Sequence, residues 1–215
     1  KENIQKENIE AIKNGLHNLY KHIDNIKNKF GLNVIVALNK YYTDTKEEID
    51  FLTQKLKEKQ IEISIVEGWE KGGEGAIDIA NKIVELANKN SNLNYMYELE
   101  DDIKTKILKV STKIYGAKNV IYSKEAEEQI EKINLFGYSN LPICIAKTQY
   151  SFSDDPKNLE CKNDYSINVK SVELKAGAGF IVVIAGNIMT MPGLPKIPAA
   201  ENIDIDKDGN IIGLF

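Results

Sequence analysis

The chain has 215 residues, 42% hydrophobic and 28% charged, which is the composition of a globular protein with room for one large or two small folding units. A net charge of −4 with no basic stripe gives no electrostatic reason for a nucleic-acid partner. All 28 basic residues are lysines, so any bound anion meets ammonium point charges and backbone N–H groups, without arginine forks.

Residues 9–26 carry Ile9, Ile12, Leu16, Leu19, Ile23 and Ile26 at helical spacing, and Phe30-Gly31 ends that helix. The run 33–38 (NVIVAL) is apolar and rich in β-branched residues, which predicts a buried, parallel strand. Thr45-Lys46-Glu47-Glu48 is a capping box that opens the next helix, with Ile49, Leu52 and Leu56 on its apolar face. A second strand follows at 61–66 (IEISIV). A helix is predicted over 75–86, with Ile77, Ile79, Ala80, Ile83, Val84 and Leu86 available for its buried side. Strands alternating with helices imply right-handed βαβ units and a parallel sheet.

The second half reads differently. Every proline lies there: Pro142, Pro156, Pro192, Pro195 and Pro198. Helices are predicted over 103–114 and 124–133, and strands over 120–122, 143–146, 167–174 and 180–184. The stretch 192–200 (PGLPKIPAA) is too proline-rich for regular structure and is expected to be an ordered loop. The fold class is therefore α/β: a parallel-sheet βαβ unit over 1–112, followed by a smaller mixed α+β domain over 113–215.

Several chemistries find no support. Cys144 and Cys161 sit in no CxxC or Cys/His cluster, so they are expected as reduced thiols of a cytoplasmic protein, with no zinc site. His17 and His22 do not share a helical face at metal-ligand spacing. Asp204, Asp206 and Asp208 begin like a calcium loop but lack its closing glutamate, so a turn with solvated carboxylates is expected. The apolar run 179–185 is too short to cross a bilayer, and the first residues show no signal-peptide core. The chain opens without Met and already in helical phase, which predicts a start inside a larger protein. A G-x-x-x-x-G-K-[ST] loop is absent, and the glycine spacing fits no dinucleotide fingerprint.

In an open α/β sheet, ligands bind beyond the carboxyl ends of the strands. The first strand leads into Asn39-Lys40-Tyr41-Tyr42-Thr43-Asp44, and the second into Glu67-Gly68-Trp69-Glu70-Lys71-Gly72-Gly73-Glu74-Gly75. If the strands are neighbours, Tyr41 and Trp69 face one crevice and can sandwich a flat heteroaromatic ring. Each feature also has a structural reading. Trp69 serves equally as a packing residue, Tyr41-Tyr42 as a strand cap, and the glycines as a tight turn into a helix. The segment 149–155 (QYSFSDD) is polar and aromatic and has no assignment from spacing.

Longer strings carry a resemblance. AKTQYSFSDD (146–155), KAGAG (175–179) and IMTMPGLPKIPAAENIDIDKDGNIIGL (188–214) resemble the C-terminal part of formate–tetrahydrofolate ligases, and so do ALNKYYTDT (37–45) and GWEKGGEG (68–75). The resemblance covers essentially the whole chain. It implies the reaction formate + ATP + tetrahydrofolate → 10-formyltetrahydrofolate + ADP + phosphate, through formyl phosphate. It also implies that the P-loop NTPase-like domain that binds ATP with Mg2+ lies in an N-terminal portion outside this sequence. No catalytic residue is then expected here, the chain alone is expected to be inactive, and formate and ATP are substrates of the whole enzyme.

On the same resemblance, Tyr41 and Trp69 stack on the two faces of the pterin of tetrahydrofolate, and Lys71, Gly72, Gly73 and Glu74 line the cleft. The family more often has Phe where this chain has Tyr41, and Pro where it has Tyr42. A monovalent cation, a homotetramer and the N-terminal portion as partner are further implied; no membrane or nucleic acid is. The other classes open to the sequence are a stand-alone folate- or pterin-binding module and an oligomerisation module.

Overall fold

The computed structural model describes residues 6–159, 164–188 and 195–213. Cys161 and the first part of the proline-rich loop, including Pro192, lie outside the described residues, as do residues 1–5 and 214–215. The architecture is mixed α/β, with small parallel and mixed sheets.

Helix α1 (Ile9–Asp24) starts where the Asn8 side chain accepts the Ala11 N–H at 2.9 Å. It continues as a π-helical turn, Asn25–Lys29, and stops at Phe30 and Gly31, as the spacing predicts. Strand β1 (Val36–Asn39) begins three residues later than the apolar run does. The reason is that the Asn33 amide faces the carbonyls of Leu86, Lys89 and Asn90, so this stretch ties down a helix end before it can pair.

Helix α2 (Lys46–Glu58) has the full capping box: the Thr45 hydroxyl accepts the Glu48 N–H while the Glu48 carboxylate accepts the Thr45 N–H. Its far end is a Schellman motif, with Gln60 N donating to Lys57 O at 2.9 Å and Ile61 N to Leu56 O at 3.0 Å. That motif uses the start of 61–66, so strand β2 is confined to Ile63–Val66. Strands β1 and β2 pair in parallel, Val36 opposite Ile63 and Asn39 opposite Val66, which completes the expected βαβ unit.

After β2 the chain forms a short helix α3 (Gly68–Lys71), a 3-10 turn over Gly72–Ala76 and helix α4 (Ile77–Ala87). The residues expected to bury α4 do not: no residue of α4 is buried, and Ile77, Ile83 and Val84 are exposed. A two-stranded sheet is too narrow to cover a whole helix stripe, and that is the physical reason.

The main core lies in the second half. Helix α5 (Ile103–Val110), continuing as a π turn to Tyr115, and helix α6 (Lys124–Leu135) pack on a four-stranded sheet. Its strands are β3 (Asn119–Tyr122), β4 (Ile143–Ala146), β5 (Ser166–Lys175) and β6 (Phe180–Ala185), in the order β3-β5-β6-β4. The β5–β6 pair is antiparallel; the outer pairs, β3–β5 and β4–β6, are parallel. Alternate residues Ile167, Val169, Ile181, Val183 and Ala185 meet Ile103, Ile107, Ala126, Ile130 and Ile133. Each fully buried isoleucine contributes about 1.5–3 kcal/mol.

The first helix is fastened to this half. Asn25 donates to Ile114 O at 3.0 Å, and the His22 ring lies 4.5 Å from that of Phe152. The chain ends in a small hairpin of β7 (Asp204–Ile205) and β8 (Ile211–Ile212). Asp206 accepts from the backbone of Asp208 and Asn210, which makes DIDKDG a carboxylate-capped turn, as expected. Among the described residues no helix is long and apolar enough to cross a membrane.

Candidate functional site

Parallel pairing of β1 and β2 brings their carboxyl ends together, and the ladder runs one step further, with Lys40 N donating to Val66 O at 2.9 Å. Tyr41 follows at once, in a turn closed by Tyr41 N to the Asp44 carboxylate (2.8 Å) and Asp44 N to Tyr41 O (3.1 Å). Trp69 was expected in a loop. It stands instead in α3, whose first turn is anchored by Glu67 O accepting from the N–H groups of Glu70 and Lys71.

These aromatic side chains are raised into solvent: Tyr41 is 55% exposed, Tyr42 74% and Trp69 62%. Rings this open contribute little to packing. The ring contact with Trp69 belongs to Tyr42, with centroids 6.5 Å apart and planes at 64°, an edge-on arrangement. Tyr41 is the neighbouring ring in the same turn. A flat ligand needs rings that are nearly parallel and about two van der Waals thicknesses apart, so the Tyr42–Trp69 spacing is suitable but the angle must change.

Lys40, Glu67 and Lys71 form a cluster that sequence reasoning missed. Glu67 accepts from Lys40 Nζ at 2.8 Å on one carboxylate oxygen and from Lys71 Nζ at 2.5 Å on the other. The Lys40 hydrogen bond, followed by that of Lys71, holds the Glu67 carboxyl down to about 2, and the same Lys40–Glu67 bond raises the Lys40 ammonium. Local spacing carries no sign of this cluster: the register that sets Asn39 opposite Val66, seen only in the paired strands, makes the lysine and the glutamate the next residues across from each other.

Lys71 is thus ion-paired, while Gly72, Gly73 and Glu74 lie exposed along the 3-10 turn. Gly72 takes φ 59° and ψ −141°, a conformation open essentially to glycine alone. At Gly75 a Cβ would stand 2.4 Å from Glu67 O, so glycine is required for the close approach at which Glu67 N donates to Gly75 O at 3.0 Å.

A large concavity among the described residues lies elsewhere. It has a volume of about 850 Å³ and is lined mainly by apolar groups, among them Phe30, Leu93, Tyr95, Met96, Ile114 and Pro142. Neither Tyr41 nor Trp69 lines it. Size alone favours that groove; the convergence of exposed rings, charge and glycine at strand ends favours the Trp69 region as the chemical site. The segment 149–155 wraps around one ammonium: Lys147 Nζ donates to the carbonyls of Thr148 and Ser153, both at 3.0 Å, and to that of Ser151. Burial pushes that ammonium down, as expected for a lysine held by carbonyls inside a loop. Among the described residues no group of three or more His, Cys, Asp or Glu is placed to hold a metal ion.

Fold and strand-end geometry together define a mixed α/β protein with exposed aromatic rings and an ion-paired cluster at the ends of two parallel strands. A family model described as formate–tetrahydrofolate ligase matches residues 1–215, and the chain belongs to that family. It is 48% identical over 214 residues to a formate–tetrahydrofolate ligase of Campylobacter concisus (strain 13826) and 45% identical over 215 residues to one of Staphylococcus aureus (strain JH9). Each match covers 100% of this chain and 39% of the relative, so the chain spans about two-fifths of the length of these curated relatives.

Proposed function

We propose that this chain supplies the pterin-binding side of an enzyme that joins formate to tetrahydrofolate at the expense of ATP. The whole reaction gives 10-formyltetrahydrofolate, ADP and phosphate through formyl phosphate. Residues 1–112 carry the folate side of the cleft, and residues 113–215 form the C-terminal domain against which it is built. Trp69 and Tyr41 stack on the pterin, and Lys71, Gly72, Gly73 and Glu74 line the cleft.

The observation that carries this reading is the exposure of the Trp69 and Tyr41 rings at the carboxyl ends of two paired parallel strands. Stacking adds about 0.5–1.5 kcal/mol per ring pair beyond the area buried. Holding the pterin also points its attacking amine at the formyl carbon, a proximity effect.

Phosphoryl transfer needs a phosphate cradle and cations around the γ-phosphate. The sequence has no phosphate-binding loop of the G-x-x-x-x-G-K-[ST] kind and no arginine. The ATP and Mg2+ chemistry is therefore assigned to the remaining three-fifths of the enzyme; this chain alone is expected to be inactive, and the whole enzyme to be a cytoplasmic homotetramer. An oligomerisation role is a second reading, favoured by the exposed apolar residues Ile65, Ile77, Ile83 and Val84.

The test is a titration of this chain with tetrahydrofolate under anaerobic conditions. Trp69 is the sole tryptophan, so its emission reports directly on stacking. Saturable quenching, with calorimetric binding lost in Trp69→Ala, is the expected result. Binding that survives Trp69→Ala would remove the pterin assignment.

A further inference from the structure

Lys40 and Glu67 are the first residues beyond two paired strand ends, and each introduces an aromatic segment. Lys40 precedes Tyr41 directly, and Glu67 opens the turn that carries Trp69. Nothing in the covalent chain holds these segments at a fixed separation, because Lys40 and Glu67 are 27 residues apart. Two connections cross between them at the strand ends: the backbone bond from Lys40 N to Val66 O at 2.9 Å, and one side-chain bond, Lys40 Nζ to Glu67 at 2.8 Å. Within the second segment, Lys71 Nζ reaches the other oxygen of the same carboxylate at 2.5 Å, and Glu67 N donates to Gly75 O at 3.0 Å.

The Glu67 side chain is only 22% exposed, well below the 51% of Lys71, so the carboxylate is partly covered. Among the described residues no other ion pair links the segment after β1 to the segment after β2. The ring contact between these segments, Tyr42 with Trp69, is edge-on at 6.5 Å, which is too weak to set their separation.

We propose that Glu67 is a positioning residue for pterin binding: with Lys40 and Lys71 it holds the segments bearing Tyr41 and Trp69 at the separation a single flat heterocycle requires. The inference rests on the pterin reading of the site above. Glu67 itself need touch no ligand. It acts through Lys40 on the Tyr41 turn and through Lys71 on the far end of α3. Preorganisation of this kind lowers the ordering cost of binding.

The experiment compares this chain with Glu67→Gln, with Lys40→Gln, and with the charge exchange Lys40→Glu plus Glu67→Lys. Tetrahydrofolate is titrated by calorimetry, acrylamide quenching of Trp69 is read without ligand, and thermal midpoints are recorded for all four proteins. Expected are an affinity loss of about tenfold in each single variant, easier quenching of Trp69, midpoints within about 2 °C of the parent, and recovery of part of the affinity in the charge exchange, which restores the link between positions 40 and 67 but not the one to Lys71. If Glu67→Gln does not fold, Lys40→Gln removes the same pair and leaves Glu67 its bond to Lys71.

Single variants that bind as tightly as the parent overturn the positioning role and leave the pterin reading standing. So do losses that track the thermal midpoint and are not recovered by the exchange, since those are the signature of a merely structural bond. A parent chain that does not bind tetrahydrofolate overturns the pterin reading for this chain, and the positioning role with it.

Discussion

His22 shows how a single residue links the two halves of the chain. Its ring packs on Phe152, and Lys21 covers the same phenyl ring, 4.6 Å from its centroid. Burial lowers the imidazole below its ordinary 6.5, and the ammonium groups of Lys147 and Lys21 add to that shift. The unfolded chain therefore takes up the proton at a higher pH than the folded chain does. The stability of this contact is fully present above the ordinary value and is lost as the pH falls through 6.5 toward the lowered folded one. Thermal midpoints measured from about pH 7.5 to about pH 5 are expected to decline in the parent and to decline less in His22→Gln. Identical slopes in the two proteins would remove His22 from the account.

Among the elements, α2 shows a local signal read correctly at one end and an exception at the other. Its capping box was legible because Thr45 and Glu48 are three residues apart and need no tertiary partner. Its C-terminal end was not, because the left-handed position is held by Gln60, at φ 56°, and not by the usual glycine. A side chain in that conformation costs about 1–2 kcal/mol, partly offset by the greater unfolded-state freedom of glycine. Gln60→Gly is thus expected to stabilise the chain by roughly 0.5–1 kcal/mol, seen as a higher urea midpoint with an unchanged slope. A lower midpoint would mean that the Gln60 side chain makes a contact worth more than the strain.

For the whole molecule, the imbalance between the halves has a consequence. The second half encloses the main core, while β1 and β2 form a sheet of only two strands, each with one edge unpaired among the described residues. Ile65 of β2 and Ile77, Ile83 and Val84 of α4 are exposed beside it. Unpaired edges with apolar neighbours invite strand addition and association. The isolated chain is expected to self-associate in sedimentation velocity as its concentration rises, with a modest thermal midpoint. A monodisperse, highly stable monomer would show that this surface is adequately solvated as it stands.

The sequence by itself determined the longer helices (though not α3), the position of the capping box, the strand 143–146 to the residue, and the βαβ order of the first half. All of these rest on interactions between residues a few positions apart or on periodicity along one element. It also carried the family resemblance, since strings such as GWEKGGEG are contiguous. Only the tertiary structure decided the strand order β3-β5-β6-β4, the open face of α4, the edge-on contact of Tyr42 with Trp69, and the meeting of Lys40 with Glu67. Burial of a helix face depends on what packs against it, and strand register joins residues far apart in the chain, so neither is written in local spacing.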